Sequence, residues 1–484
     1  MSRVAFTAAP WYAGEGPAVI AGEATWDFAR LREAAARRAG LLRANGLIPG
    51  QLVLVPTDPP LDLVLMQHAL ACCNAALLPV RPGLSQPARA ELVAMTGAEW
   101  TWVAAGSLGD SAGNGGQLVP LNPTARSDDA SRWQEDPLAL VIETSGSGGA
   151  PKAAMLTQGN VLASCARVNA RLGLVPGDLW LCCLPRHHIG GLAIAYRCAL
   201  AGAAILLHQG FDPAAVAADL ARLPVTHVSL VPPMLARLLD LGVRPTSRLR
   251  VALVGGQALS GTLARRGLDA GWPLCATYGM TETCSQVATS GVLREVPGPG
   301  VVGEPLPGLT LDCPPCDQAP PGCNGPKGAL RIRGDLVMAG YANPGRIRGL
   351  GLDGGWLTTA DLGCLTAGGK LRVLGRADEA LVIAGVQVLP ALVTERLAGA
   401  PGVEAAVVIG LPNPVWGHSL VAVYAGTIAP ADLTDWCRRQ LAGVERPRHL
   451  RRVAALPVLA SGKYDLQAIR RLVEAASCRS GTDA

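Results

Sequence analysis

The chain has 484 residues, 49% of them hydrophobic, and its 42 basic and 37 acidic side chains leave a net charge of +5. That length predicts two to four structural units around a substantial core, and the composition excludes a disordered chain. So small a charge, with no run of five like charges, demands neither nucleic acid nor a membrane surface as partner.

The first residues, MSRVAFTAAPWYAGEGP, hold no apolar segment of signal-peptide length. The spacing predicts a helix over Trp26–Arg43 that stops at Asn45-Gly46, then a strand at Leu52–Pro56, a helix at Leu61–Ala71 and a strand at Ala76–Val80. Ala69–Val80 is the longest apolar stretch; it includes Asn74 and falls short of the roughly 20 residues a membrane span needs. A cytoplasmic protein is expected. The polar stretch Gly106–Asp136 reads as a loop or junction. Apolar strands resume at Leu138–Ile142, Trp180–Leu184, Ala203–His208, His227–Val231 and Val251–Val254. Strands alternating with helices predict an α/β fold with parallel, βαβ-type sheets.

From about Gly300 short strands with Gly and Pro turns take over: Ala329–Arg333, Trp356–Thr359 and Leu371–Leu374. These predict a small β-rich unit within the large N-terminal domain, residues 1–375. After Gly375-Arg376 a compact α+β domain is expected over 376–476, with helices at Pro390–Ala398 and Ala431–Leu441 and strands at Ala405–Ile409 and Leu420–Tyr424. Residues 477–484 read as a disordered tail. The 14 cysteines do not form a disulfide framework in so long a chain. Cys313-Pro-Pro-Cys316 with Cys323 allows two zinc ligands, but the second Cys pair is missing, so a plain loop is the expectation.

The strand at Leu138–Ile142 runs into Thr144-Ser145-Gly146-Ser147-Gly148-Gly149-Ala150-Pro151-Lys152. Small residues in series let backbone N–H groups approach phosphate oxygens, and the hydroxyls and Lys152 add donors. The segment is not a P-loop: Pro151 stands where the second Gly belongs, and Ala153 replaces the metal-binding hydroxyl.

With its neighbours this segment resembles the adenylate-forming superfamily of acyl-CoA ligases, luciferases and peptide-synthetase adenylation domains. Thr277-Tyr278-Gly279-Met280-Thr281-Glu282 is similar to that family's aromatic-Gly-x-Thr-Glu motif. Val254-Gly255-Gly256-Gln257 resembles its Gly-rich turn, and Trp356–Asp361 its segment ending in Asp. Gly375-Arg376-Ala377-Asp378 resembles its domain linker and Ser461-Gly462-Lys463 its C-terminal lysine loop. The match runs from about residue 20 to 470. Departures are Gly148 for a usual Thr, Ala360 for a Gly, and Leu392 and Thr394 where Glu is common.

The resemblance implies ATP, Mg²⁺ and coenzyme A as cofactor and co-substrates. By it, Thr281 and Glu282 serve α-phosphate and metal, and Thr144, Ser145, Gly146, Ser147, Gly149 and Lys152 the phosphates. Gly256, Gln257, Tyr278 and Gly279 would border adenine, Asp361 and Arg376 the ribose, and Lys463 the reacting carboxylate. Asp378 would be the hinge. No general base is needed, because a carboxylate of pKa near 4 is already ionised; charge neutralisation and positioning carry the reaction.

Leu184-Pro185-Arg186-His187-His188-Ile189-Gly190-Gly191 resembles the family's acyl-pocket segment, so His187 and His188 are expected at the acid, as is Gly255 of the Gly-rich turn. Arg197 stands alone in the apolar run Leu192–Cys198. It binds a second substrate carboxylate, or finds an internal acidic partner, or faces solvent. The constellation looks most like ligases of an aromatic dicarboxylate that feed naphthoquinone rings. The alternatives are another aryl- or acyl-CoA ligase and a non-catalytic nucleotide-binding relative. A homo-oligomer is compatible with the sequence.

Overall fold

The structure, a computed structural model, describes residues 14–104, 116–121, 133, 135–144, 151–313, 329–343, 345–459 and 461–480, the side chains of 475–480 excepted. Its frame is a 13-stranded sheet. Six parallel strands lie side by side in it: Leu274–Tyr278, Val251–Val254, His227–Leu230, Leu179–Cys182, Ala204–Leu207 and Pro17–Ala21. Most are continuous apolar runs because helices cover both faces. The β-rich stretch expected after Gly300 is present and continues this sheet. Its strands extend the same sheet in antiparallel fashion through Val301–Pro305, Leu371–Arg376, Leu357–Leu365 and Ala329–Gly334.

A second sheet of seven strands holds Leu52–Pro56 and Ala76–Val80, whose bounds match the apolar runs residue for residue. Two readings are corrected here. Trp26 belongs to the strand Ala24–Asp27, and the helix begins at Phe28 with the Asp27 carboxylate capping Arg30 N at 2.7 Å. Part of the expected 106–136 loop is a strand, Gly116–Pro120, paired antiparallel with Trp100–Ala104 and covering Trp102 with Leu118. The remainder of that stretch lies largely outside the described residues.

Thr144 and Lys152 are cross-strand partners of the pair Leu138–Thr144 and Lys152–Thr157. The Gly-rich segment therefore joins two antiparallel strands, and no helix N-terminus follows it directly.

Beyond Arg376 the strands form sheets of their own: Leu381–Ile383 with Val386–Val388, and Val403–Asn413, Gly417–Gly426 and His449–Arg452 together. Their apolar clusters are likewise drawn from residues after Ala380. The helix Pro390–Ala398 is where the sequence predicts it, and Leu466–Ser480 is helical, so Ser477–Ser480 are its last turn rather than tail. Eight of the ten free cysteines among the described residues are buried, and no metal-binding cluster occurs among the described residues. Cys316 and Cys323 lie outside them. No described helix is long and apolar enough to cross a membrane.

Candidate active site

A cleft of about 1250 Å³ opens at the carboxyl ends of the parallel strands. This is where open α/β sheets bind ligands, because loops there diverge. The strand His227–Leu230 delivers Val231, Val251–Val254 delivers Gly255, Gly256 and Gln257, and Leu274–Tyr278 delivers Gly279 and the turn Thr281–Thr283. A Cβ on Gly279 would lie 1.6 Å from Ser285 O, so only glycine fits that turn. Gly256 has φ +78°, and a Cβ there would press to 3.3 Å from Lys463 Cε. Cys284 (φ 51°) and Ser285 (φ 98°) hold left-handed backbone without being glycine. Ser164 Oγ, donating to Cys284 O at 2.7 Å, helps fix this strained turn beneath the cleft.

Two polar groups flank the turn. In the first, Tyr278 Oη donates to Asp361 Oδ2 at 2.6 Å, and Arg376 Nη1 lies 3.7 Å from Asp361 Oδ1. Asp361 and Arg376 are cross-strand partners, which is why residues 15 apart in sequence share one spot. Arg376 also forks Asp378 through Nε and Nη2 at 2.9 and 2.8 Å. In the second, Tyr341 Oη donates to Glu282 Oε1 at 2.9 Å, while the Lys152 ammonium sits 4.9 Å over the Tyr341 ring. Burial first, then the Glu282 charge, raise the Tyr341 hydroxyl pKa, so it remains a donor.

Lys463 reaches the cleft from the C-terminal segment. Its loop is tight: Gly462 has φ +81°, and a Cβ there would meet Met234 Cε at 2.6 Å. Tyr464 N donates to Gln257 Oε1 at 3.3 Å, tying the loop to the Gly-rich turn. Burial lowers the Lys463 pKa, and no carboxylate among the described residues pairs with it. The His187 and His188 rings lie 4.2 Å apart, tilted by 46°, ahead of the helix Ile189–Ala201. Burial, then His187, then Lys463 pull the His188 pKa down to about 4, so the ring is neutral at physiological pH.

Arg197 lies on that helix, 1% exposed, and lines the cleft. Its neighbours are the Trp180 ring at 5.7 Å and the thiols of Cys165, Cys284 and Cys198. Nε and Nη2 have no hydrogen-bond partner, and no carboxylate among the described residues pairs with it. Two of the three sequence alternatives, an internal acidic partner and a solvent-facing guanidinium, are therefore excluded among the described residues.

The AMP-binding enzyme family matches residues 8–342, and the AMP-binding enzyme C-terminal domain matches residues 393–463. The chain belongs to the AMP-binding enzyme family. A 2-succinylbenzoate–CoA ligase of Geobacillus kaustophilus is 31% identical over 94% of this chain and 95% of its own. A feruloyl-CoA synthase of an Amycolatopsis species is 32% identical, again over 94% of this chain and 95% of its own. The o-succinylbenzoate CoA synthetase of Bacillus subtilis has been solved with the acyl-adenylate intermediate OSB-AMP. That structure superposes with a TM-score of 0.74 at 26% identity, over 93% of this chain and 94% of its own. Its complex with ATP and magnesium ion gives 0.75 at 26%, over 93% and 95%.

Of the residues that the family resemblance singled out, the fold brings Thr144, Lys152, Gly255, Gly256, Gln257, Tyr278, Gly279, Thr281 and Glu282 to one cleft. It adds His188, Arg197, Asp361, Arg376, Asp378 and Lys463. His187 packs against His188 but does not line the cleft. Ser145, Gly146, Ser147 and Gly149 lie outside the described residues. The donor set fits a nucleotide and its cation. Glu282 Oε2 has no partner among the described residues, and magnesium is commonly held by one carboxylate plus phosphate oxygens. Tyr341 is the residue that sequence reasoning missed. Its Glu282 contact spans 59 residues, and nothing in the Gly340-Tyr341 context announces it.

Proposed function

We propose that this chain is an AMP-forming acid–CoA ligase whose acid is o-succinylbenzoate, serving the ligation step of naphthoquinone formation. In the first half-reaction a carboxylate oxygen of the acid bonds to the α-phosphorus of ATP and pyrophosphate leaves. In the second, the coenzyme A thiol gives up its proton to solvent, its sulfur bonds to the acyl carbon, and AMP leaves with the electron pair of the broken acyl–oxygen bond.

The residues divide the work by charge. Lys463 contributes an ammonium where carboxylate and phosphate meet, and attracts both. Thr281 donates to the α-phosphate, while Lys152 and the Ser145–Gly149 backbone take the departing pyrophosphate. Asp361, oriented by Tyr278, accepts from ribose hydroxyls, with Arg376 beside it. Glu282 would hold the magnesium ion, which when bound neutralises phosphate charge. Residues 1–375 then act as one body and 376–476 as a smaller one turning about Asp378, which lets one cleft serve two geometries.

The observation that carries the acid assignment is Arg197. A buried guanidinium without counter-charge is costly in the free protein and is neutralised by a substrate with a second carboxylate. Ferulate, with one carboxylate, leaves it unpaired. The test is pyrophosphate release with ATP and a panel of o-succinylbenzoate, benzoate and ferulate. Release with o-succinylbenzoate at the lowest KM is expected. Preference for ferulate would move the chain to the other aryl-CoA ligases, and release with no acid would make it a nucleotide-binding protein.

A further inference from the structure

Gln286 is a second buried polar side chain on the cleft, 2% exposed, and it belongs to none of the groups above. Its Oε1 accepts from Thr289 Oγ1 at 2.5 Å, and Thr289 Oγ1 is 2.8 Å from Thr277 Oγ1. A 2.5 Å contact fits O–H···O and is shorter than amide N–H···O bonds run, so the amide oxygen faces Thr289. Thr289 spends its proton on Gln286, so the Thr277–Thr289 contact falls to the Thr277 proton, which Ala288 O at 3.1 Å also accepts. The amide nitrogen is then turned away from Thr289, and Nε2 has no partner among the described residues.

The cleft thus holds two buried donor groups without acceptors, differing in charge. Arg197 carries a cation; Gln286 carries a neutral amide N–H. A buried unpaired donor is costly, so both are accounted for if the substrate supplies the acceptors. A guanidinium matches a carboxylate. A neutral amide N–H matches an uncharged carbonyl oxygen, which needs no counter-ion.

We infer that Gln286 is a specificity-determining residue whose Nε2 donates to an uncharged keto oxygen of the acid, beside the carboxylate that Arg197 holds. This rests on the o-succinylbenzoate reading. That acid is an aryl ketone with two carboxylates and presents both acceptors. Sites built to hydrogen-bond a substrate group discriminate against the analogue that lacks it.

The test compares o-succinylbenzoate with 4-(2-carboxyphenyl)butanoate, in which a methylene replaces the ketone. The readout is ATP–pyrophosphate exchange by the whole enzyme. The wild type is expected to show a KM at least about tenfold higher for the deoxo acid. In Gln286→Leu, which keeps the volume and removes the donor, that ratio should fall below about twofold. A ratio that persists in the variant overturns the inference. The wild type alone also tests it, should Gln286→Leu fail to fold. Exchange with both acids and no preference overturns the Gln286 inference and leaves the ligase reading standing. Exchange with neither acid overturns the o-succinylbenzoate reading and this inference with it.

Discussion

Arg197 and Arg346 are equally buried, at 1% and 2% exposure, yet the protein treats them in opposite ways. Arg346 forks Glu99 through Nη2 at 2.5 Å and Nη1 at 3.2 Å, and Nη1 also donates to Gly97 O at 2.7 Å. Glu99 Oε2 in turn accepts from Leu52 N at 2.9 Å. This guanidinium is satisfied from within and pins the loop that follows Tyr341 onto the end of the seven-stranded sheet. Arg197 has a tryptophan face, three thiols and two donors with nothing to bind. A buried cation satisfied by the fold is part of the scaffold, while one left unsatisfied points to a ligand. Lys463 is exposed and so falls outside that division, although no carboxylate among the described residues pairs with it either.

The comparison is tested hardest at Arg346. Arg346→Leu strands Glu99 as a buried charge, and breaking such a pair costs about 3–5 kcal/mol. Urea unfolding should show a loss of that size. Glu99→Leu with Arg346→Leu should recover most of it, since an apolar pair of similar volume replaces the ion pair. If the single substitution costs under about 1 kcal/mol, Arg346 is not the anchor described here.

Next in size is Lys463→Ala. Loss of a charge poised over the reacting phosphate should slow adenylate formation by about 10²–10³-fold. Thioester formation from pre-made acyl-adenylate should be spared. Equal loss in both half-reactions breaks the assignment. Stability gives an independent reading. Below 10.5 and above the lowered folded value, the unfolded chain binds the Lys463 proton and the folded chain does not. Stability contributed by this site therefore rises with pH through that window, and Lys463→Ala should remove the rise.

The contrast between these cations was only partly legible in the sequence. Arg197 stood out because a lone cation in an apolar helix has few explanations. Arg346 did not, because Glu99 is 247 residues away and the pair exists only after the sheet has formed. The strands Leu52–Pro56 and Ala76–Val80 were readable because buried parallel strands are apolar throughout and end at turns. Gly116–Pro120 was not, since GQLVP carries only a weak period-two signal and gains its partner from Trp100–Ala104. Asp361 and Arg376 were read as separate motifs; cross-strand pairing made them one group. The role proposed for Gln286 was not legible, because it lies in which of its two amide atoms the Thr289 hydroxyl leaves free.

A smaller effect sharpens the Arg197 side. Arg197→Leu should raise the KM for o-succinylbenzoate at least about tenfold, which requires about 1.4 kcal/mol. Benzoate should be used as well or slightly better. In contrast to Arg346→Leu, the free protein should be as stable as wild type or more so, because an uncompensated charge is removed. Loss of stability comparable to that of Arg346→Leu would make Arg197 structural.

The smallest expected effect is at Tyr341, where the two regions meet. The loop that Arg346 anchors begins at Tyr341, whose N donates to Leu350 O at 2.8 Å across the loop's base. Its hydroxyl holds Glu282 Oε1 and leaves Oε2 to the cleft, so it orients the carboxylate proposed for magnesium. Tyr341→Phe keeps the ring under Lys152 and removes only the donor. A hydrogen bond to a charged group contributes about 1.5–3 kcal/mol, but Glu282 stays partly wet and can recruit water, so only part of that should be felt. The magnesium concentration for half-maximal adenylation should rise a few-fold, while the KM for the acid and the thioester half-reaction should hold. Because the raised pKa keeps Tyr341 protonated, the change should be the same from pH 6 to 9. If Arg346 acts on catalysis through this loop, the folded fraction of Arg346→Leu should show the same magnesium shift and Arg197→Leu should not. A shift in acid KM with no shift in magnesium dependence would detach Tyr341 from Glu282, and with it the link between scaffold and cleft.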